Sequence, residues 1–414
     1  MTRKFIALIG LVLLTGCSGG GDSSTTSSAP PPATPTAQPD MLTATNQGLQ
    51  RGKANGQGQQ LIFSMPNMHQ QFNLLVSEGN VFYTRTKTQF DDDIWTVRTD
   101  GTGDRVVVNT NEDERIWDAR GPRLLYSNDF NQEVWSQRLD TGARHLLRDD
   151  GGALYGAEFY RDDRVMFVTE YHVFDTTATD AARTYFADGH PLGIRGWYIT
   201  ERAVIYGQWD QGGDPGLTGL PPYSHLFATR LDGGTPVQLD TDESYTTLAA
   251  TIGHRVVYHD CNVHMGEPAT GCDVLSVEDD GTDRVVLAAH PANEAVQGIV
   301  GNQVIIRRNF SGNDQLIAVP VAGGPERLIM TMTDSEFVSL VAGDLIIVRR
   351  PSGTWSLDLN GTLTQLGTVA LDYGLIVVGN AVCGNKGIAA WCMPLDGNGQ
   401  AVKIADVGKV VGVL

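Results

Sequence analysis

Cys261 with Cys272 and Cys383 with Cys392 fall into two local pairs, and Cys17 stands apart from them near the start of the chain. Paired thiols so close in sequence suit disulfides that staple hairpins, provided the chain folds in an oxidising compartment. His259-Asp260-Cys261, followed by His264 and Met265, offers imidazole, thiolate and thioether groups that suit copper or zinc. Cys272 offers Cys261 a simpler fate. Trp209, Asp210 and Tyr223 lie in one long connecting segment, and Tyr171, His172 and Asp175 lie in another. Rings that stack beside carboxylates that accept hydroxyl or amine hydrogens suit carbohydrate or peptide ligands. Asp91, Asp92 and Asp93 form an acidic run with no Asp-x-Asp-x-Asp-Gly loop, so the run reads as a solvated turn rather than a calcium loop. Arg307, Arg308, Arg349 and Arg350 recur as pairs at equivalent strand ends. One member of each pair is expected to face the blade interface as a structural salt-bridge partner, the less favoured alternative being that the four form an anion-binding patch.

The sequence contains no Gly-x-Ser-x-Gly elbow, no His-Glu-x-x-His, no phosphate-binding glycine loop before a helix and no Cys-x-x-Cys-His. Lys and Arg number 30 against 48 Asp and Glu, a formal charge of −18. A chain so acidic has no general basic surface for phosphate backbones, and nucleic acid is excluded as the expected partner.

The elements that must hold these residues repeat. An alternating strand, a tight turn at Asp100-Gly101 and an aliphatic strand Val106-Val107-Val108 are matched by Val274 to Val277, Asp280-Gly281 and Val285 to Leu287. Further turns fall at Asp140 to Gly142, Asp188-Gly189, Asp232-Gly233, Ala322-Gly323, Asn360-Gly361 and Asp396-Gly397. The spacing of about 40 residues is that of a four-stranded propeller blade. Each hairpin is preceded by another, as at Val296 to Ile306 and Phe337 to Val348, with no helical period between them. The fold class predicted is all-β, a β-propeller of eight four-stranded blades, with seven as the alternative because the third repeat has a short, Pro-containing last strand at His190 to Gly193. Leu61 to Ser64 and Val410 to Leu414 are spare strands for closing the ring.

Ahead of the repeats, Arg3 and Lys4 precede the apolar stretch Phe5 to Leu14 and the sequence Leu14-Thr15-Gly16-Cys17. This order resembles the bacterial lipoprotein signal, which implies that residues 1–16 are removed and that Cys17 carries the lipid. Ser18 after the cysteine, in place of a retention Asp, implies the outer membrane. Residues 17–58, rich in Ser, Thr, Pro and Gly at their start, are expected to form a flexible tether, and 59–414 the propeller. The Asp-Gly-Thr units at Asp100-Gly101-Thr102 and Asp280-Gly281-Thr282 resemble the repeats of TolB-type propellers. That family includes interaction modules, peptidase propellers and metal-dependent polysaccharide lyases, so the resemblance implies a fold and not an activity.

In a propeller, connections from second to third strands and from blade to blade share one face. That face should gather Trp209, Asp210, Tyr223, Tyr171 and His172 as ligand-binding candidates, and His259 and His264, with His172 and His225 nearby, as metal candidates. The favoured reading is a non-enzymatic binding or scaffold lipoprotein of the cell envelope, held to the membrane by its lipid, with a protein, peptide or glycan partner and no required cofactor. The alternative is a polysaccharide lyase or hydrolase that needs a divalent metal.

Overall fold

A computed structural model describes residues 39–414 apart from residues 71–72, 89–90, 129–132, 149–153, 162, 170–171, 188–193, 210–223, 241–244, 262–270, 310–312 and 414. The described residues form a β-propeller of nine four-stranded antiparallel blades. Blade one runs from Leu75–Ser77 to Arg105–Val108. Blade two runs from Arg115–Arg120 to Arg144–Arg148, and blade three from Leu154–Arg161 to Asp180–Ala187. Blades four and five run from Ile194–Ile199 to Val237–Gln238 and from Tyr245–Ile252 to Val285–Ala288. Blades six, seven and eight begin at Glu294–Val300, Phe337–Ala342 and Tyr373–Val378. Blade nine closes the ring: the C-terminal strand Gly408–Val413 pairs with Asp40–Thr45, which carries Gly48–Lys53 and Gln60–Ser64 outward.

Two expectations are corrected. The ring has nine blades, not eight or seven, and it starts at Asp40, inside the segment read as tether. Asp40–Thr45 (DMLTAT) and Gly48–Lys53 (GLQRGK) lack the aliphatic runs that mark the other strands. Their strand pairing is imposed by Gly408–Val413 and by burial of Met41, Leu42, Ala44 and Leu49 between the flanking blades. In blade three the turn between third and fourth strands is at Ala178-Thr179 rather than Asp188-Gly189, so the last strand is Asp180–Ala187. His190 to Gly193 lies outside the described residues.

The period of two along each strand explains the packing. In blade one, Val81, Tyr83 and Val97 join the cluster shared with blade nine, while Phe82 and Ile94 join the cluster shared with blade two. The same split recurs at Val304-Ile305-Ile306 and Ile346-Ile347-Val348. Nine apolar clusters, each shared by two neighbouring blades, result among the described residues. A strand buried on both faces reads as a continuous aliphatic run, which is why the second strands were the easiest to see. The Asp-Gly turns work as anticipated: Gly101 sits at φ +84°, and Asp100 Oδ1 accepts from the Thr102 backbone N–H at 2.8 Å and from its hydroxyl at 2.6 Å.

Both disulfides form, Cys261–Cys272 in blade five and Cys383–Cys392 in blade eight. Each joins residues directly opposite in register on second and third strands. The first closes the base of the connection 262–271. The second lies within the fully buried cluster between blades eight and nine.

Candidate functional site

The face reached by second-to-third-strand and blade-to-blade connections carries a repeated charged register. Glu294 heads the first strand of blade six, and Arg308, fourteen residues on, ends the second strand opposite it, with Nε donating to Oε1 at 2.6 Å. Arg308 also donates to Glu326 at 2.7 Å. Blade seven repeats the arrangement with Glu336 and Arg350, again fourteen apart. Blade eight uses Asp372 with Lys386 at 3.7 Å, and Arg349 reaches the same carboxylate at 3.1 Å. Arg307 Nε donates to Asp314 at 2.7 Å. All four arginines of blades six and seven thus bind carboxylates within the chain, as the salt-bridge expectation has it.

Blade two keeps the acid and loses the base. Arg115 pairs with Ser127, which sets Glu114 opposite Asn128. The Asn128 carboxamide oxygen is taken by the Trp135 indole N–H at 3.2 Å. Glu114 is 1% exposed. Its Oε1 accepts from the Thr110 backbone N–H at 3.1 Å and from the Thr110 hydroxyl, while its buried Oε2 has no hydrogen-bond partner. Burial pushes this carboxyl up to about 7; the Thr110 donors pull it down, and the charges of Asp93 and Asp91 add to the rise.

Blade one supplies the rest of this corner. The Glu114 backbone N–H donates to the Asp92 carbonyl at 3.1 Å. Asp93 is also 1% exposed and lies 3.0 Å from Lys87 Nζ. Lys87 is also held by Asn109 Oδ1 at 2.8 Å, and pairing with Asp93 raises its ammonium above the ordinary range. Asp91 Oδ1 is buried without a donor. Asp113 is pushed up by burial and by the charges of Asp92 and Asp91. The run Asp91 to Asp93, read as a solvated turn, is instead the first part of a third strand, Asp91–Arg98, with its last aspartate buried.

A second perturbed carboxyl lies on the first strand of blade three. Glu158 is pushed up to about 7 by burial, with Asp118 of blade two adding to the rise. Asp118 Oδ2 accepts the Phe159 backbone N–H at 2.8 Å and so ties one blade to the next.

The residues named from the sequence are distributed differently. His172 sits beside Tyr185, ring centroids 5.6 Å apart, and its backbone N–H donates to Thr169 Oγ1 at 3.0 Å. His259 is a clamp between blades five and six: Nε2 accepts the Val296 backbone N–H at 3.0 Å and Nδ1 lies 3.2 Å from Thr247 Oγ1. A metal on either nitrogen would displace one of these partners, so this ring does not fit a metal site. His225 Nδ1 lies 3.5 Å from Asp240. Trp209 pairs its backbone with Ser224, but its side chain, together with Asp210, Tyr223, Tyr171 and His264, lies outside the described residues. Among the described residues no three His, Cys, Asp or Glu side chains come together in a way that could hold a metal ion. Glu114 and Glu158 were missed. For Glu114 a signal existed, the fourteen-residue acid-to-base spacing of blades six to eight.

No family model matches the chain, and no curated protein matches it. Among solved structures it is similar to an oligogalacturonate lyase in complex with manganese, at 11% identity and a TM-score of 0.45, over 83% of this chain and 98% of the other. It is similar to the computationally designed Ika8 protein at 13% identity and 0.49, over 83% and 97%. A prolyl endopeptidase matches at 15% identity and 0.44, over 79% of this chain and 53% of that one. Likeness at this level bears on the fold alone.

Proposed function

We propose that this chain is an envelope-anchored lipoprotein whose nine-bladed propeller is a non-enzymatic binding or scaffold module, presenting its loop face to a protein, peptide or glycan partner. The anchor is Cys17, the membrane the outer one, and the repeats are of the TolB type. One observation carries the reading. On the loop face the acid–base register is satisfied within the chain at blades six, seven and eight, and it is left open at blade two, where Glu114 faces Asn128. Of these four blades only blade two buries its acid with no cation opposite, and a buried carboxylate without a cation costs stability unless something binds it. The sequence between Trp209 and Ser224, which carries Asp210 and Tyr223, supplies the aromatic and acidic groups this reading uses.

The lyase reading requires a divalent metal, and of the described histidines named for it, His259 has both ring nitrogens engaged within the chain. Metal analysis of the natively purified protein separates the two readings: stoichiometric manganese or zinc would favour the enzyme. The binding reading is tested by the double change Trp209→Ala with Tyr223→Ala. It should shift melting by no more than about 2 °C and weaken partner capture by about tenfold or more. A large melting shift with capture per folded molecule unaltered would remove these residues from the binding face. Cys17→Ala should move the protein from membranes to the soluble fraction.

A further inference from the structure

Blades two, six and seven place an acid at one repeat position, and blades six and seven supply its cation from the position opposite. The geometry of the closed blades therefore says what the open one lacks. Glu294 is as deeply buried as Glu114, and what reaches it at that depth is the end of a long, slim side chain, Arg308. At blade two the opposing residue is several heavy atoms shorter and already engaged by Trp135. Lys87 of blade one is spent on Asp93 and Asn109 and does not bond Glu114. The charged groups around the carboxylate are Asp91, Asp92 and Asp93 on blade one, Asp113 beside it and Glu133 on blade two, against Lys87 on blade one and Arg115, Arg144 and Arg148 on blade two, of which Arg115 lies over the Trp117 ring and Arg144 over the Trp135 ring. Acids outnumber cations there.

We infer that the Glu114 corner receives a guanidinium or ammonium group, the tip of an arginine or lysine side chain of a partner protein or peptide, which completes in trans the pair that Arg308 and Arg350 complete in cis. This rests on the loop face being a binding face and names the chemistry bound there. The donor geometry favours arginine, whose planar fork presents several N–H groups to Glu114 Oε2, a buried oxygen without a donor. A glycan is disfavoured, since a ring cannot reach a carboxylate at this depth.

The test uses the full chain in detergent and two probes, N-acetylarginine amide and its neutral isostere N-acetylcitrulline amide, titrated by calorimetry at pH 8. The arginine probe should bind saturably and at least about tenfold tighter than citrulline. Its affinity should fall at least about tenfold in Glu114→Gln and in Asn128→Arg, the latter because the introduced guanidinium occupies the site. Binding should weaken from pH 8 to pH 6 as Glu114 takes up a proton. Equal binding of the two probes, or unchanged affinity in Asn128→Arg, would overturn the inference. So would stoichiometric calcium binding that Glu114→Gln abolishes, which would make the corner a metal site. If the arginine probe fails while the Trp209 and Tyr223 double variant still loses partner capture, this inference falls and the reading of the face stands. Glu114→Gln keeps the comparison available if Asn128→Arg does not fold.

Discussion

Blade six and blade two solve the same local problem with different outcomes. In blade six Glu294 is fully buried and Arg308, itself 8% exposed at its side chain, neutralises it while bridging to Glu326. In blade two Glu114 is equally buried, but only the two neutral donors of Thr110 serve it; Oε2 lacks a donor in both residues, so the blades differ in the missing cation. The consequence is electrostatic. Burial raises both carboxyls; Arg308 partly offsets it at Glu294, whereas Glu114 has no cation and is taken to about 7, with neighbouring carboxylates adding to the shift. Such a group is held in place by the backbone register of the propeller rather than by any pairing of its own. A repeat architecture can therefore carry an unsatisfied polar group at one blade, because the other blades maintain the geometry.

The largest expected effect comes from breaking the closed pair. Arg308→Met should cost about 3 to 5 kcal/mol in urea unfolding, because it leaves a buried carboxylate unpaired, and Arg308→Met with Glu294→Met should recover most of it. A single-variant cost below about 1 kcal/mol would mean the pair is not what holds that corner. The two disulfides allow a parallel contrast. Replacing Cys383 and Cys392 by Ala should cost about 2 to 4 kcal/mol, and replacing Cys261 and Cys272 about 1 kcal/mol less, since only the first pair also leaves a cavity in a sealed core. Equal losses would show that loop closure alone matters.

Glu114→Gln addresses the open site. A carboxyl raised from 4.5 to about 7 on folding contributes stability that is fully present below about 4.5 and is lost as pH rises to about 7. The Gln variant should therefore flatten the stability profile across that window and be about 1 to 3 kcal/mol more stable than the parent at pH 8. A variant whose profile parallels the parent would place the titration elsewhere, first at Glu158. Asn128→Arg should give the smallest change, about 1 to 2 kcal/mol of stabilisation at pH 8 and less at pH 5, where its target is neutral.

How much of this was legible depended on which residues carried the signal. The eight hairpins from Asp100-Gly101 to Asp396-Gly397 were countable because their turns, other than that of blade three, combine Asp, Asn or Ala with a glycine at positive φ. The disulfide pairs were readable because each spans a single hairpin. The ninth blade was not, since its inner strand comes from the other end of the chain and Asp40–Lys53 has no aliphatic run of its own. Ala178-Thr179 turns without glycine, so Asp188-Gly189 was taken in its place. The paired arginines stood out by composition, but their carboxylate partners did not, because Glu294, Glu336 and Asp372 are single residues at strand heads. Only the register, which pairs positions fourteen apart, turns Glu114 and Asn128 from two ordinary polar residues into a broken pair.

The most direct test of that contrast is the titration of the Glu114 side-chain carboxyl itself, followed by carbon NMR in the parent and in Asn128→Arg. The expected midpoint is near 7 in the parent and lower once the guanidinium is restored, as Arg308 lowers that of Glu294 against burial. A parent midpoint already at the ordinary value, or one that Asn128→Arg leaves unmoved, would contradict it.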